Sequence, residues 1–264
     1  MSGYEPGFLG VEVPLPTRAG GGGRRLDYPR FSVVLDAQRR LAAVTAVNID
    51  GARLLDLPRT GEWRLDPRAP ADEQTGPEVY ARNDLDRGHL VRRRDPGWGT
   101  AAEAREATEA TFFYTNAAPQ AADFNQSKEL WLGLEDHVLA FAEASDQRIS
   151  VFTAPIFGDD DPPYRGIQVP LRFYKIAAWV GAEALEAAGF VLDQSELVDT
   201  RQGVVAVDRL GGFRTFQVPI SDIAAATGLD FGPLVDADVL EIAGARAEGW
   251  RELGGASDIR WGRG

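Results

Sequence analysis

The sequence predicts an α+β domain, and three features carry that expectation. Runs rich in β-branched and aromatic residues recur at Phe31–Leu35, Leu41–Val47, Ile149–Phe157 and Val169–Val180, as strands require. One long segment, Leu130–Ala144, has a helical period instead: Leu130, Leu134, Val138 and Phe141 fall on one face at 3.6 residues per turn. Strands and helices alternate with long irregular stretches, which suits a sheet with helices packed beside it.

Taken in order, Pro6, Pro14 and Pro16 mark an extended arm, and Gly20–Gly23 form a flexible tether without side chains to pack. The tether lacks the Lys-Ser/Thr of a phosphate loop. Phe31–Leu35 and Leu41–Val47 are joined by the polar turn Asp36–Arg40, and Asp50-Gly51 signals a further turn. Pro58–Pro77 is expected to be irregular surface. Thr100–Ala110 is rich in Ala and Glu and predicts a short helix. Thr111–Thr115 is β-branched and aromatic and predicts a strand. Asp123 or Asn125 could cap the long helix. Asp159-Asp160-Asp161-Pro162-Pro163 is expected to be an exposed acidic loop, with cation binding as the alternative. Lys175, inside an apolar strand, either snorkels at the core edge or approaches a substrate phosphate, the first being the default. Ala182–Ala188 predicts a helix, Phe190–Leu192 a strand, and Asp222–Thr227 a helix ended by Gly228. No internal repeat is present. The expected division is an arm over 1–30, a main domain over 31–235 and a tail over 236–264.

With 264 residues, 44% hydrophobic and 26% charged, the chain has a globular composition and can bury a substantial core. It contains no cysteine, which excludes disulfides, thiolate metal sites and cysteine nucleophiles. No apolar run approaches the ~18 residues that cross a bilayer. The start, MSGYEPGFLG, lacks a basic stretch followed by an apolar one, so a cytoplasmic location is expected. The net charge of −12 argues against a general affinity for nucleic acid. However, Arg87, Arg92, Arg93 and Arg94 cluster, and they form either a local basic groove or a solvated loop.

Histidine is the side chain that titrates near neutrality and is the usual general base. Only His89 and His137 are available. His137 sits on the long helix between Asp136 and Val138, where a structural role is favoured. His89 follows Asp86-Arg87-Gly88, which places a guanidinium suited to phosphate and a glycine that permits close approach beside the imidazole. A second cluster contains Asn116, Pro119-Gln120, Asn125 and Glu135. Its amide and carboxylate oxygens are hard ligands suited to Mg²⁺, an ion that keeps several waters and needs few protein contacts. There is no G-x-S-x-G elbow and no H-E-x-x-H pair, so serine-hydrolase and zincin chemistry find no support.

Together, Asp86-Arg87-Gly88-His89-Leu90, Thr115-Asn116-Ala117-Ala118-Pro119-Gln120, Phe124-Asn125-Gln126, Trp131 and Leu134-Glu135 resemble the DNA/RNA non-specific endonucleases. Phe152–Phe157, Val169-Pro170 and Phe173-Tyr174-Lys175 are similar to that family's core strands, and the likeness runs from about Phe31 to about Phe231. It implies the ββα-metal nuclease fold, a central antiparallel sheet flanked by helices. It implies His89 as general base and Asn125 as the sole direct protein ligand to Mg²⁺, with Mn²⁺ as an alternative ion. Glu135 and Asn116 would orient metal-bound waters, and Arg87 would contact phosphate or support the histidine. Arg92 and Arg93 are further candidates for substrate contact. The family also has a phosphate-binding arginine upstream of the histidine, for which Arg64 is the nearest candidate. The implied substrate is DNA, RNA or both, cut to 5′-phosphate and 3′-hydroxyl ends, and a homodimer is a further implication. Asn125 and Glu135 stand further apart than in the family. The rival expectation is a nuclease-fold protein that binds nucleic acid or a protein without cutting.

Overall fold

A computed structural model of the chain describes residues 2–121, 138–143, 146–182, 184–199, 206–207, 214–242 and 249–262. Its centre is an eight-stranded antiparallel sheet. The strands used below are β1 (Arg24–Tyr28), β2 (Phe31–Asp36), β3 (Leu41–Asp50), β4 (Leu85–His89), β5 (Ala117–Ala121), β6 (Arg148–Ile156), β7 (Arg172–Val180), β8 (Leu185–Asp193), β9 (Arg214–Val218) and β10 (Arg251–Glu252). The sheet order is β10-β9-β8-β7-β6-β3-β2-β1, while β4 and β5 form a separate hairpin. The expected strands at 31–35, 41–47 and 149–157 are therefore present as β2, β3 and β6.

The pleat sorts the core into two layers, because alternate residues of a strand face opposite ways. Along β7, Phe173, Ala177 and Trp179 enter one layer, with Phe190, Val151 and Ile149. Tyr174, Ile176 and Ala178 enter the other, with Phe152, Val191 and Val218. The first layer underlies the β4–β5 hairpin through Ala118 and Ala121. The second is covered by helix α2 (Ile220–Thr227), whose Ile220 and Ile223 are buried. Gly228 ends α2 at φ 66°, and its N–H donates to the Ala224 carbonyl at 2.8 Å. Asp238 is fully buried beneath α2, accepting from Ile220 N at 2.7 Å and Leu240 N at 2.9 Å. Burial pushes its carboxyl pKa up to about 6.

Residues assigned from sequence to a terminal arm and tail supply both sheet edges, β1 and β10. Trp261 stacks on Phe141 with ring centres 5.0 Å apart, within the first core layer.

Helix α1 (Ala101–Ala110) forms where expected. Thr100 caps it, accepting from Glu103 N while the Glu103 carboxylate accepts from Thr100 N, so two otherwise unpaired amides are satisfied.

Four expectations are corrected. Strand β8 runs through the end of the helix expected at Ala182–Ala188. The helix preference of alanine amounts to a fraction of a kcal/mol per residue, whereas β8 pairs on both sides with β7 and β9 and buries Ala187 and Ala188 completely. Thr111–Thr115 is no strand: the Thr111 hydroxyl donates to the Thr108 carbonyl, and Tyr114–Asn116 form a single 3₁₀ turn. Asp161 is buried, not exposed, and accepts from Gly158 N and Leu171 N, which makes it a loop staple. Lys175 does not snorkel; it is 2% exposed, opposite Thr153 and Phe190 in mid-sheet.

Candidate active site

The β4–β5 hairpin brings the His89 cluster against the Pro119-Gln120 part of the second cluster: His89 lies opposite Ala117, Arg87 opposite Pro119, and Asp86 opposite Gln120. Two buried carboxamides fix it in place. Asn116 accepts from Val91 N at 2.9 Å and donates to the Val91 carbonyl at 2.9 Å and the Thr111 carbonyl at 3.0 Å. It thereby welds the chain just after His89 to the turn just before β5. Gln194, at the end of β8, accepts from Ala121 N at 2.9 Å and donates to the Pro119 and Pro170 carbonyls. That ties β5 to the large sheet.

Alternation along the hairpin separates its faces. Leu85, Arg87 and His89 share one face, where Leu85 joins a small core with Tyr80 and Tyr114, while Asp86 and Gly88 share the other with Ala118 and Gln120. Gly88 is required there, since a Cβ would overlap the Gln120 carboxamide. Both Gln120 amide atoms are sealed from solvent, without a hydrogen-bond partner among the described residues.

Aromatic walls surround His89. Trp63 lies 4.6 Å away between ring centres, and Phe112 meets the imidazole edge-on at 4.9 Å. Nε2 is buried and has no partner among the described residues. Desolvation, together with the positive charges of Arg59 and Arg93, pushes the imidazole pKa down to about 3. The ring is therefore neutral, with a lone pair available to take a proton.

Two arginines, Arg59 and Arg93, place positive charge at the imidazole. Arg59 lies 5.3 Å over the Phe112 ring. Arg93 donates to the Leu57 carbonyl at 2.9 Å, and its pKa is lowered by burial and then by Arg59 and Arg94. Arg92, half-buried, adds to the same positive field. Arg94 is held by Glu143 at 3.3 Å. Arg59, Arg92, Arg93 and Arg94 thus concentrate positive charge beside the imidazole on an acidic protein. Arg64 lies outside this group. Its neighbour Trp63 faces His89, whereas the Arg64 guanidinium covers Phe113 at 4.1 Å, beside a cavity also lined by Tyr28, Asp66 and Arg68. In an extended segment adjacent side chains diverge, so a Trp directed at the histidine sends the next residue away. Arg59 is the upstream cation beside the imidazole. Counting residues missed it, and a two-residue alternation back from Trp63 would have favoured it.

The segment thought to be irregular surface is anchored from below. Asp66 and Gln74 are buried; Asp66 accepts from Tyr28 Oη at 2.6 Å and pairs with Arg68 at 2.7 Å, which holds its carboxyl below the usual range against the cost of burial. This anchor sets Trp63 three residues upstream.

Asn125, Glu135 and His137 lie outside the described residues. Among the described residues no group of three or more His, Cys, Asp or Glu could hold a metal. His89 Nε2 and Gln120 Oε1, both buried and without a partner among the described residues, are acceptors suited to ordered water.

Residues 15–238 match the family model described as DNA/RNA non-specific endonuclease. The chain is 38% identical over 255 residues to the uncharacterized protein y4fB of Sinorhizobium fredii, covering 87% of this chain and 38% of that protein. It is 30% identical over 187 residues to mitochondrial endonuclease G of Homo sapiens, covering 66% and 57% of the two chains. Nuclease C1 of Cunninghamella echinulata is 26% identical over 191 residues, covering 68% and 69%. A chain of the solved EndoG/EndoGI complex superposes with TM-score 0.61 at 19% identity, covering 80% of this chain and 86% of that one. At that identity the superposition establishes the fold alone, and the α+β architecture is the one expected.

Proposed function

This chain belongs to the DNA/RNA non-specific endonuclease family, and from that premise we propose that it hydrolyses internal phosphodiester bonds of DNA, RNA or both. The observation that carries the proposal is a neutral imidazole whose Nε2 has no partner among the described residues, beside Arg59 and Arg93 on a hairpin that joins the His89 cluster to Pro119-Gln120.

Arg59, Arg87 and Arg93 would receive the phosphate, whose negative charge they are placed to attract. His89 Nε2 would take the proton of the attacking water. Phosphate bound beside Arg59 and Arg93 would offset their repulsion of the imidazolium, so His89 becomes more basic once substrate is in place. Trp63 and Phe112 keep bulk water from the ring and hold its orientation. Asn116 acts as a positioning residue, its carboxamide being engaged by Val91 and Thr111 rather than turned towards a metal. Asn125 would hold Mg²⁺, or Mn²⁺ in its place, with Glu135 nearby. The ion, when bound, neutralises charge growing on the phosphate and the leaving 3′ oxygen. The products would carry 5′-phosphate and 3′-hydroxyl ends.

The test is incubation of supercoiled plasmid and of RNA with the protein, with Mg²⁺ and with EDTA, beside His89→Ala. Cleavage that needs the metal and is lost in the variant is expected. Equal cleavage by the variant, or none by the parent, would sink the proposal.

A further inference from the structure

Arg87 has an unusual setting for a guanidinium in a binding site. Among the described residues it has no hydrogen bond and no ion pair, and its Nε is sealed from water. Its visible support is the ring of Tyr80, whose centroid lies 5.5 Å from the guanidinium carbon. Tyr80 is itself 5% exposed, and its hydroxyl is buried without a partner. A desolvated, unpaired hydroxyl costs stability that a purely structural core residue need not incur.

The seat of Tyr80 is elaborately braced. Its ring stacks on Tyr114 at 5.9 Å, within a small core that also holds Val79, Leu85 and Ile167. Arg165, at the tip of the turn between Tyr164 and Ile167, donates to the Glu78 carbonyl at 2.7 Å and the Ala81 carbonyl at 2.6 Å, on either side of Tyr80. Asn83 donates to the Val79 carbonyl at 2.6 Å and to Tyr164 Oη at 2.9 Å. A segment distant in sequence thus fixes the backbone that presents this one ring.

We propose that Tyr80 is a positioning residue: the face of its ring orients Arg87 towards the scissile phosphate. The inference rests on the nuclease reading above. An aromatic face attracts a cation through its quadrupole yet leaves the N–H edges of the guanidinium unspent. A carboxylate in the same place would hold Arg87 as firmly but would cancel the charge needed by the phosphate. Ring support therefore keeps Arg87 both ordered and fully cationic.

The test uses the full chain and kcat/KM on one DNA substrate. Tyr80→Leu should lower kcat/KM about tenfold, a size set by the strength of a buried cation–ring contact, while Tyr80→Phe keeps most of it. In an Arg87→Ala background, Tyr80→Leu should cost nothing further. If Tyr80→Leu fails to fold, a series of progressively fluorinated phenylalanines at position 80 weakens the ring face without changing its shape, and kcat/KM should fall stepwise along it. An equal loss with and without Arg87, a Phe variant as poor as Leu, or a flat fluorine series would overturn the inference. Absence of cleavage by the parent protein would instead overturn the nuclease reading.

Discussion

Gly88 and Gln120 face each other across the inner side of the β4–β5 hairpin so closely that a methyl group on Gly88 would overlap the Gln120 carboxamide. Gly88→Ala should therefore pry β4 from β5 and displace His89, one residue away. Overpacking of this kind costs about 1–3 kcal/mol, a loss the large sheet can absorb. Far-UV circular dichroism should be close to that of the parent while cleavage falls at least tenfold. Adding Gln120→Ala to make room should recover stability.

His89→Ala should leave folding intact and reduce cleavage by about 10²- to 10⁴-fold, the usual contribution of a general base. A plasmid-nicking time course measures it.

The depressed pKa of His89 has two consequences of definite sign. In the substrate-free protein the ring stays neutral down to about pH 3, so kcat/KM should show no acid limb near the ordinary histidine value of about 6.5. Bound phosphate raises the pKa, so the acid limb of kcat should lie at higher pH than that of kcat/KM. Folding responds as well. The unfolded chain takes up this proton below about pH 6.5 and the folded chain does not until about pH 3, so stability is lost as pH falls through that window. His89→Asn should flatten this part of the dependence in urea titrations across pH 7 to 4.

Arg59→Ala and Arg64→Ala should separate cleanly. Arg59 lies over the Phe112 ring that borders the imidazole, so its loss should raise KM and weaken the salt dependence of cleavage. Arg64 covers Phe113 beside a different cavity, and its loss should leave both nearly unchanged. KM measured from 50 to 300 mM salt distinguishes the two.

Asn116→Ala removes three buried hydrogen bonds. At about 1 kcal/mol each, the expected loss is about 2–4 kcal/mol in urea unfolding. Asn116→Asp should be worse, because it sets a carboxylate oxygen against the Val91 and Thr111 carbonyls. A residue acting only on metal-bound water would instead lower activity with stability unchanged.

The sequence made legible the parts governed by local pattern. Runs of β-branched and aromatic residues located β2, β3 and β6, an Ala- and Glu-rich run located α1, and Gly228 closed α2. The His89 cluster and the Asn116–Gln120 cluster could be joined because each carries its own chemistry, and the structure pairs them strand to strand. What stayed hidden depended on distant neighbours. Nothing local in the alanines of β8 says that two strands flank it, and nothing beside Lys175 says that its ammonium is buried. Arg59 and Arg64 are equally basic, and only the direction of Trp63 decides between them. Asn116 reads as a polar site residue because sequence cannot reveal that its amide is already consumed.

Among the described residues the hairpin carrying His89 forms no ladder with the eight strands beneath it, and a lone two-stranded ribbon is marginal in water. Its polar ties to the body run through Gln194 and Asn116, beside the packing of Ala118 and Ala121 on the first core layer. The ribbon can accordingly unlatch as a unit while the sheet stays whole, and amide exchange at Gly88 and Ala118 should be faster than in β6 and β7. Warming would then silence this protein at a temperature below that at which it melts.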